Sequence, residues 1–168
     1  MANKLEKTFS KLYDQNIDKI YRFVFLKVNS KETAEDLTSK VFMRGWDRFR
    51  QGVDNIDNPR AFLYQIARNT VIDYYREKGR ANTVSIDNAP QIADPRVNLH
   101  ERAAINADLA GVKQALSGLS DDYQNVVIWH YLDDLPIKEV AKLLDRSEEA
   151  TRVLLHRALG SLRERLTS

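Results

Sequence analysis

An all-α fold of two small helical domains joined by a flexible linker is predicted by three features of this sequence. Apolar residues recur at three- and four-residue spacing over most of the chain, which gives each helix one buried face. Glycine and proline number six and four in 168 residues, too few for an architecture of strands and tight turns. Periodicity is lost over residues 80–98, where Pro90, Pro95 and several Asn and Asp residues mark a linker. The expected bounds are 1–80 for the first domain, 81–98 for the linker and 99–168 for the second domain.

The elements follow in order. Residues 5–28 read as a helix with Leu5, Phe9, Leu12, Ile17, Ile20, Tyr21, Val24 and Val28 on a broad apolar face. Asn29-Ser30 breaks it. A second helix runs from Lys31 to about Phe49, with Ala34, Leu37, Val41, Phe42 and Trp46 facing inward. Residues 50–57 form a loop. Asn58 then supplies an N-cap, Pro59 suits a first helical position, and Gly79 marks the stop of a third helix.

That third helix carries the most information. Leu63, Ile66, Ala67, Thr70, Val71 and Tyr74 make its core stripe. The opposite face carries Arg60, Gln65, Arg68, Asn69, Asp73 and Arg76, with Tyr64 and Tyr75 on the flanks and Arg80 at the end. Cations suit phosphates and flat rings suit unstacked bases, so this face fits a nucleic-acid strand; a solvated charged face is the competing interpretation.

Charge distribution agrees. The net charge is only +2, but residues 1–80 hold 16 Lys/Arg against 11 Asp/Glu, and residues 113–168 hold 8 against 9. Cysteine is absent, which excludes disulfides and thiolate metal sites. The three histidines, His100, His130 and His156, have no ligand-pair spacing, and no cofactor is expected. No apolar run approaches the roughly 20 residues of a membrane span, and the N-terminus has no signal-peptide core, so a cytoplasmic protein without membrane insertion is expected.

Beyond the linker, helical patterning resumes near Leu99 and runs to Leu116. Ser120, with Asp121 and Asp122, starts a helix bearing Val126, Val127, Trp129, His130 and Leu132. From Pro136 the chain reads helix, turn, helix: Ile137, Val140, Ala141 and Leu144 form one stripe, and Asp145-Arg146-Ser147 the turn. Thr151, Leu155, Ala158, Leu162 and Leu166 form the second stripe. This is a helix-turn-helix layout, whose second helix enters a major groove, and it would present Arg152, Val153, His156 and Arg157. An ordinary helical hairpin is the alternative.

With these segments in view, the chain resembles a bacterial sigma factor of the sigma-70 family, extracytoplasmic-function (ECF) group. Ala34-Glu35-Asp36-Leu37-Thr38-Ser39-Lys40-Val41-Phe42 is similar to the family's Ala-Glu-Asp-Leu-Thr-Gln-Glu-Val-Phe motif. Residues 60–80 resemble its region-2 promoter helix, and residues 119–166 its region 4, including Glu139-Val140-Ala141 and His156-Arg157-Ala158.

The resemblance implies that Asp36, Ser39, Lys40 and Phe42 contact core RNA polymerase. It implies that region 2 melts and reads the −10 element, with Asp54, Asn55, Asp57 and Asn58 beside a flipped base and α-helical residues Arg60 to Arg80 along the strand. Region 4 would read the −35 element through Arg146, Glu149, Arg152, Val153, His156 and Arg157; a Glu there can accept from a cytosine amino group. An anti-sigma factor is the implied regulator, with Val153 and Leu154 in its contact. The chain departs from the pattern at Ser39 and Lys40 (Gln and Glu in the motif), Pro136 (a usual Ser or Thr), Asp145 (a usual Gly) and Leu154 (a usual Arg).

Two other functions fit part of the sequence. A helix-turn-helix regulator acting without polymerase leaves the Arg-and-Tyr helix unused. A protein-binding helical adaptor finds support in Glu148, Glu149 and Leu154. An enzyme is not expected, nor a small-molecule substrate: no Gly-rich phosphate loop and no paired-His motif occurs, and Asp121-Asp122 and Asp133-Asp134 read as helix-end residues.

Overall fold

The computed structural model describes residues 2–52, 56–80 and 109–167, and among them every regular element is helical. The expected linker, the start of the helix expected from Leu99, and Asp54 and Asn55 lie outside the described residues.

Three long helices build the first module: α1 (Ala2–Lys27), α2 (Lys31–Arg50) and α3 (Pro59–Arg80). Ser30 holds an extended backbone between the first two, and its Oγ accepts from the Thr33 amide at 3.1 Å. Asn58 caps α3 in the same way, its Oδ1 accepting from the Ala61 amide at 3.0 Å. Ile20, Phe23 and Val24 of α1, Leu37 and Val41 of α2, and Leu63, Ile66 and Ala67 of α3 form the shared core. The buried hydroxyls of Thr38 and Thr70 are satisfied by the carbonyls four residues earlier, at 2.6 and 2.7 Å. Gly45 lets α2 and α3 approach: a Cβ built there would lie 3.3 Å from a Leu63 methyl. Leu63 is fully buried, and truncating such a leucine to alanine costs about 2–5 kcal/mol.

Gly79 does not stop α3, which continues to Arg80. The residue is exposed with nothing near its missing side chain, so its penalty is only the backbone cost of about 1 kcal/mol.

The second module holds a helix over residues 109–116 (α4), then α5 (Asp121–Val126), which widens without a break into a π-helical segment (Val127–Leu132), then α6 (Ile137–Leu144) and α7 (Glu148–Thr167). Ser120 caps α5, accepting from the Tyr123 amide at 3.3 Å. The π turn closes where the Asp133 amide reaches the Ile128 carbonyl at 3.0 Å.

Asp145 ends α6 in the left-handed region, at φ 55° and ψ 49°. The amides of Asp145 and Arg146 return to the carbonyls of Lys142 and Ala141 at 3.2 and 3.0 Å, a Schellman close. Asp adopts this conformation more readily than most residues, so the turn forms without glycine. Ser147 caps α7, accepting from the Ala150 amide at 3.0 Å. Thr151 and Ala158 of α7 are buried as the stripe predicts, whereas Leu166 is exposed in the helix's last turn, beyond the residues that cover it.

The two modules touch over a mixed apolar and polar surface. Trp129, from the π segment, is fully buried and stacks on Phe23 of α1 with ring centroids 5.6 Å apart. Tyr64 of α3 closes the same aromatic cluster, 5.8 Å from Phe23 and 6.0 Å from Trp129.

Candidate nucleic-acid interface

Three helix faces carry the residues singled out by the sequence. On α3, Asn69 and Arg76 are exposed, and Gln65 is half-buried beside the cap of the helix. Asp73 pairs with Arg44 of α2 at 3.2 Å. Arg80 closes the helix.

The other α3 residues are differently placed than helical periodicity alone predicts. Arg60 donates to the Asn16 side chain at 3.2 Å and to the Asp133 carbonyl at 3.0 Å. Arg68 donates to the Leu143 carbonyl at 2.6 Å. Tyr64, expected on the flank of the nucleic-acid face, is fully buried and donates its hydroxyl to the Asp133 carboxylate. The reason is tertiary: the second module covers this end of α3. Burial also pushes the Tyr64 phenol well above its ordinary range, with the Arg60 and Arg22 charges only partly opposing. Tyr75 is exposed but tied to the end of α1, donating to the Lys27 carbonyl at 2.5 Å.

Asn58 lies at the start of α3, and its side-chain oxygen is taken by the cap. With Asp57 and Gln65 it lines one side of a shallow cavity of about 250 Å³ whose other wall is Glu139, Lys142 and Leu143 of α6.

The α7 face is exposed along Glu149, Arg152, Val153, His156 and Arg157, with Arg146 in the preceding turn. Acidic residues sit close to two of its cations: Arg152 pairs with Glu148 at 3.5 Å and Arg146 with Asp122 at 2.8 Å. Exposed pairs of this kind contribute little to stability, and they can exchange for phosphate. Leu154 is half-buried against the core rather than part of the exposed face.

On α2, Asp36, Ser39 and Lys40 form an exposed stripe. Phe42 does not belong to it. Its ring is 6 % exposed and packs edge-on to Tyr13 at 4.8 Å and Phe9 at 6.4 Å, so it fastens α2 to α1. The residue that extends the stripe is Met43, 67 % exposed. The spacing 36, 40, 43 is the sequence signal that puts it on this face.

Asp133 is the helix-end residue that the sequence suggests, the C-cap of the π-helical segment, and it is also the polar centre of the inter-module contact. Its buried carboxylate accepts from Arg22 of α1 and from Tyr64, while its carbonyl accepts from Arg60. Nearby, Lys27 reaches Asp121 and the Gln124 side chain, the latter at 3.0 Å. Burial lowers the Lys27 ammonium pKa, and Asp121 partly restores it.

Comparison with known proteins places these faces in a family frame. Residues 12–81 match the model of Sigma-70 region 2, and residues 109–162 match Sigma-70, region 4. The chain is 29 % identical over 154 residues to the ECF RNA polymerase sigma factor BldN of Streptomyces coelicolor, covering 92 % of this chain and 58 % of BldN. It is 28 % identical over 173 residues to SigW of Bacillus subtilis, also an ECF RNA polymerase sigma factor, covering 96 % of this chain and 90 % of SigW.

Two solved structures share the fold. RpoE of Bartonella quintana, in complex with the anti-sigma factor NepR, superposes with a TM-score of 0.73 at 22 % identity, over 96 % of this chain and 98 % of that one. CnrH, in complex with the cytosolic domain of CnrY, gives 0.71 at 19 % identity, over 96 % and 89 %.

Proposed function

Because the chain belongs to the sigma-70 family, we propose that it is a sigma factor that binds core RNA polymerase and directs promoter-specific initiation. Region 2 reads and helps melt the −10 element, and region 4 reads the −35 element as duplex. The carrying observation is that both family regions occur in order, at residues 12–81 and 109–162. Each presents an exposed face of the required chemistry: Asn69 and Arg76 on α3, His156 and Arg157 on α7.

In this reading the cations of α3 hold the phosphates of the separated strand, and Asn69 and Gln65 supply amide groups for base edges. Asp54, Asn55 and Asn58 border the place of a flipped base. Arg146, Glu149, Arg152, Val153, His156 and Arg157 face the major groove. Asp36, Ser39 and Lys40, extended by Met43, dock on the polymerase. The chain makes and breaks no covalent bond in this role and needs no cofactor. No helix among the described residues is long and apolar enough to cross a membrane, and we assign the protein to the cytoplasm, where its polymerase partner and promoter DNA are. An anti-sigma factor is the proposed regulator. RpoE and CnrH were each solved with a protein partner, and in RpoE's case that partner is an anti-sigma factor. Val153, at the middle of the exposed α7 face, is its proposed contact.

Reconstitution with core polymerase on a random promoter library, followed by sequencing of the transcribed templates, tests the function. A sigma factor yields transcripts sharing two spaced elements. Tight, specific binding by the free protein with no effect on core polymerase would instead identify a regulator that uses the helix-turn-helix alone.

A further inference from the structure

We propose that Val153 reads the C5-methyl group of a thymine in the major groove of the −35 duplex, which makes it a specificity-determining residue of the second module. This inference rests on the reading of α7 as the helix that enters that groove, and deepens it by naming a base.

Helix geometry gives the residue its place. At about 100° per residue, Val153 stands roughly 180° from the middle of the stripe Thr151, Leu155, Ala158 and Leu162, which packs on the core. It is the sixth residue of α7, within the first two turns, where a helix-turn-helix presents side chains to base edges. Arg152 and His156 flank it on one side and Arg157 on the other, all three exposed.

The fold does not account for a valine there. Its side chain is 44 % exposed, and a β-branched residue is a poorer helix former than the Arg, Lys or Glu that solvent would favour. Among the described residues of the second module, the other large apolar side chains left exposed are Tyr131 and Leu166. Neither lies in the middle of the α7 face.

The major groove offers an apolar side chain one apolar group. Guanine shows N7 and O6 there, adenine N7 and N6, and cytosine N4. Each of these would lose water beneath a valine and gain no partner. Only thymine adds a methyl group. With the flanking cations taken up by phosphates, the isopropyl group between them is left to the base edges.

The test uses holoenzyme reconstituted from the full chain and core polymerase, on the promoter that the wild type selects from the random library. Deoxyuridine replaces thymine one position at a time in both strands of the −35 element. The replacement removes the methyl group and leaves base pairing and O4 intact. At one position the wild type should bind about fourfold more weakly, the effect of one buried methyl-sized group. Val153→Ser should bind the thymine and deoxyuridine templates equally at that position, and in a repeated selection it should relax base preference there alone. Val153→Ala, which keeps one methyl-sized group, should fall between. The site is exposed, so circular dichroism should show the same helix content in all three proteins.

A selected −35 element with no thymine in either strand would overturn the proposal. Deoxyuridine costs that are equal for wild type and Val153→Ser at every position would also overturn it, and would leave Val153 to the protein contact proposed above. Neither outcome would touch the sigma-factor assignment. Its own failure reads differently: a wild-type chain that selects no promoter at all, which would sink both.

Discussion

Arg44 of α2 and Asp73 of α3 form an ion pair at 3.2 Å, each about half exposed, and the same guanidinium nitrogen donates to Thr70 Oγ1 at 3.1 Å. Asp73 is therefore a carboxylate inside a face otherwise suited to phosphate, and its consequence is to cancel Arg44. Arg44 was absent from the face predicted by the sequence because it belongs to another helix. The pair joins it to that face.

Asp73→Ala should free Arg44 for a strand phosphate. In the polymerase-bound protein, open-complex formation should become more salt-sensitive, by about 0.7 in the log–log slope for one further single-strand phosphate contact. Stability should fall by no more than about 1 kcal/mol, because an exposed pair is worth little. Measuring the salt slope and the urea midpoint together checks both; an unchanged slope would place Arg44 off the strand path.

Arg76→Ala gives the cleaner test of α3 itself. Arg76 is exposed and takes no part in the inter-module contact, so its loss should lower the salt slope of open-complex formation by about 0.7 while core-polymerase affinity stays normal. Arg68→Ala should give a compound result, because it removes a candidate phosphate ligand and also the bond to the Leu143 carbonyl that joins α3 to the second module. Asn69→Ala should discriminate among promoter variants, since an amide reads base edges. Wild-type transcription by Arg76→Ala and Asn69→Ala at raised salt would show that this face is only solvated.

The docking stripe on α2 is testable without touching DNA. Asp36→Arg should weaken core-polymerase binding by roughly 2–5 kcal/mol if the charge pair it breaks is buried in the complex. Met43→Lys should also weaken it, although neither residue supports the fold: both are exposed. Helical content should be unchanged in both. Wild-type affinity in a direct binding assay would move the docking surface elsewhere.

Local signals were legible in the sequence wherever the physics was local. The caps Asn58, Ser120 and Ser147 each accept from the amide three residues on, and Asp145 takes the left-handed turn position. The stripe from Leu63 to Val71 is buried as its spacing requires. Tyr64 was misplaced because periodicity sees only a helix's own core, and what covers Tyr64 is Trp129, from the other module. The helix-end place of Asp133 is legible, but its inter-module contact is not, for the same reason: its partner Arg22 is 111 positions away. The π segment escaped too, since one widened turn changes the hydrogen-bond register without disturbing the apolar run Val126 to Trp129. Phe42 fitted both the core pattern and the family motif, and the structure resolves it as core.

Tyr64 also makes the alkaline stability of this protein predictable. Burial raises its phenol pKa in the folded chain, whereas the unfolded chain titrates near the ordinary value of about 10. Above that pH the unfolded state binds fewer protons than the folded one, so stability falls as pH rises; below it the contribution is fully present. The limiting slope for one such group is about 1.4 kcal/mol per pH unit. Lys27 acts in the opposite direction, because its lowered pKa means the folded state binds fewer protons and gains stability as pH rises towards 10.5. Wild type alone would mix the two effects. The difference between wild type and Tyr64→Phe isolates the phenol. At pH 8 the variant should be less stable by about 1–3 kcal/mol, the cost of leaving a buried carboxylate one donor short. Guanidinium unfolding at intervals from pH 9 to 11 should show that gap shrinking above pH 10, as the wild type loses what the variant never had. A gap that stays constant over that range would mean that the Tyr64 hydroxyl is not held in the buried contact with Asp133.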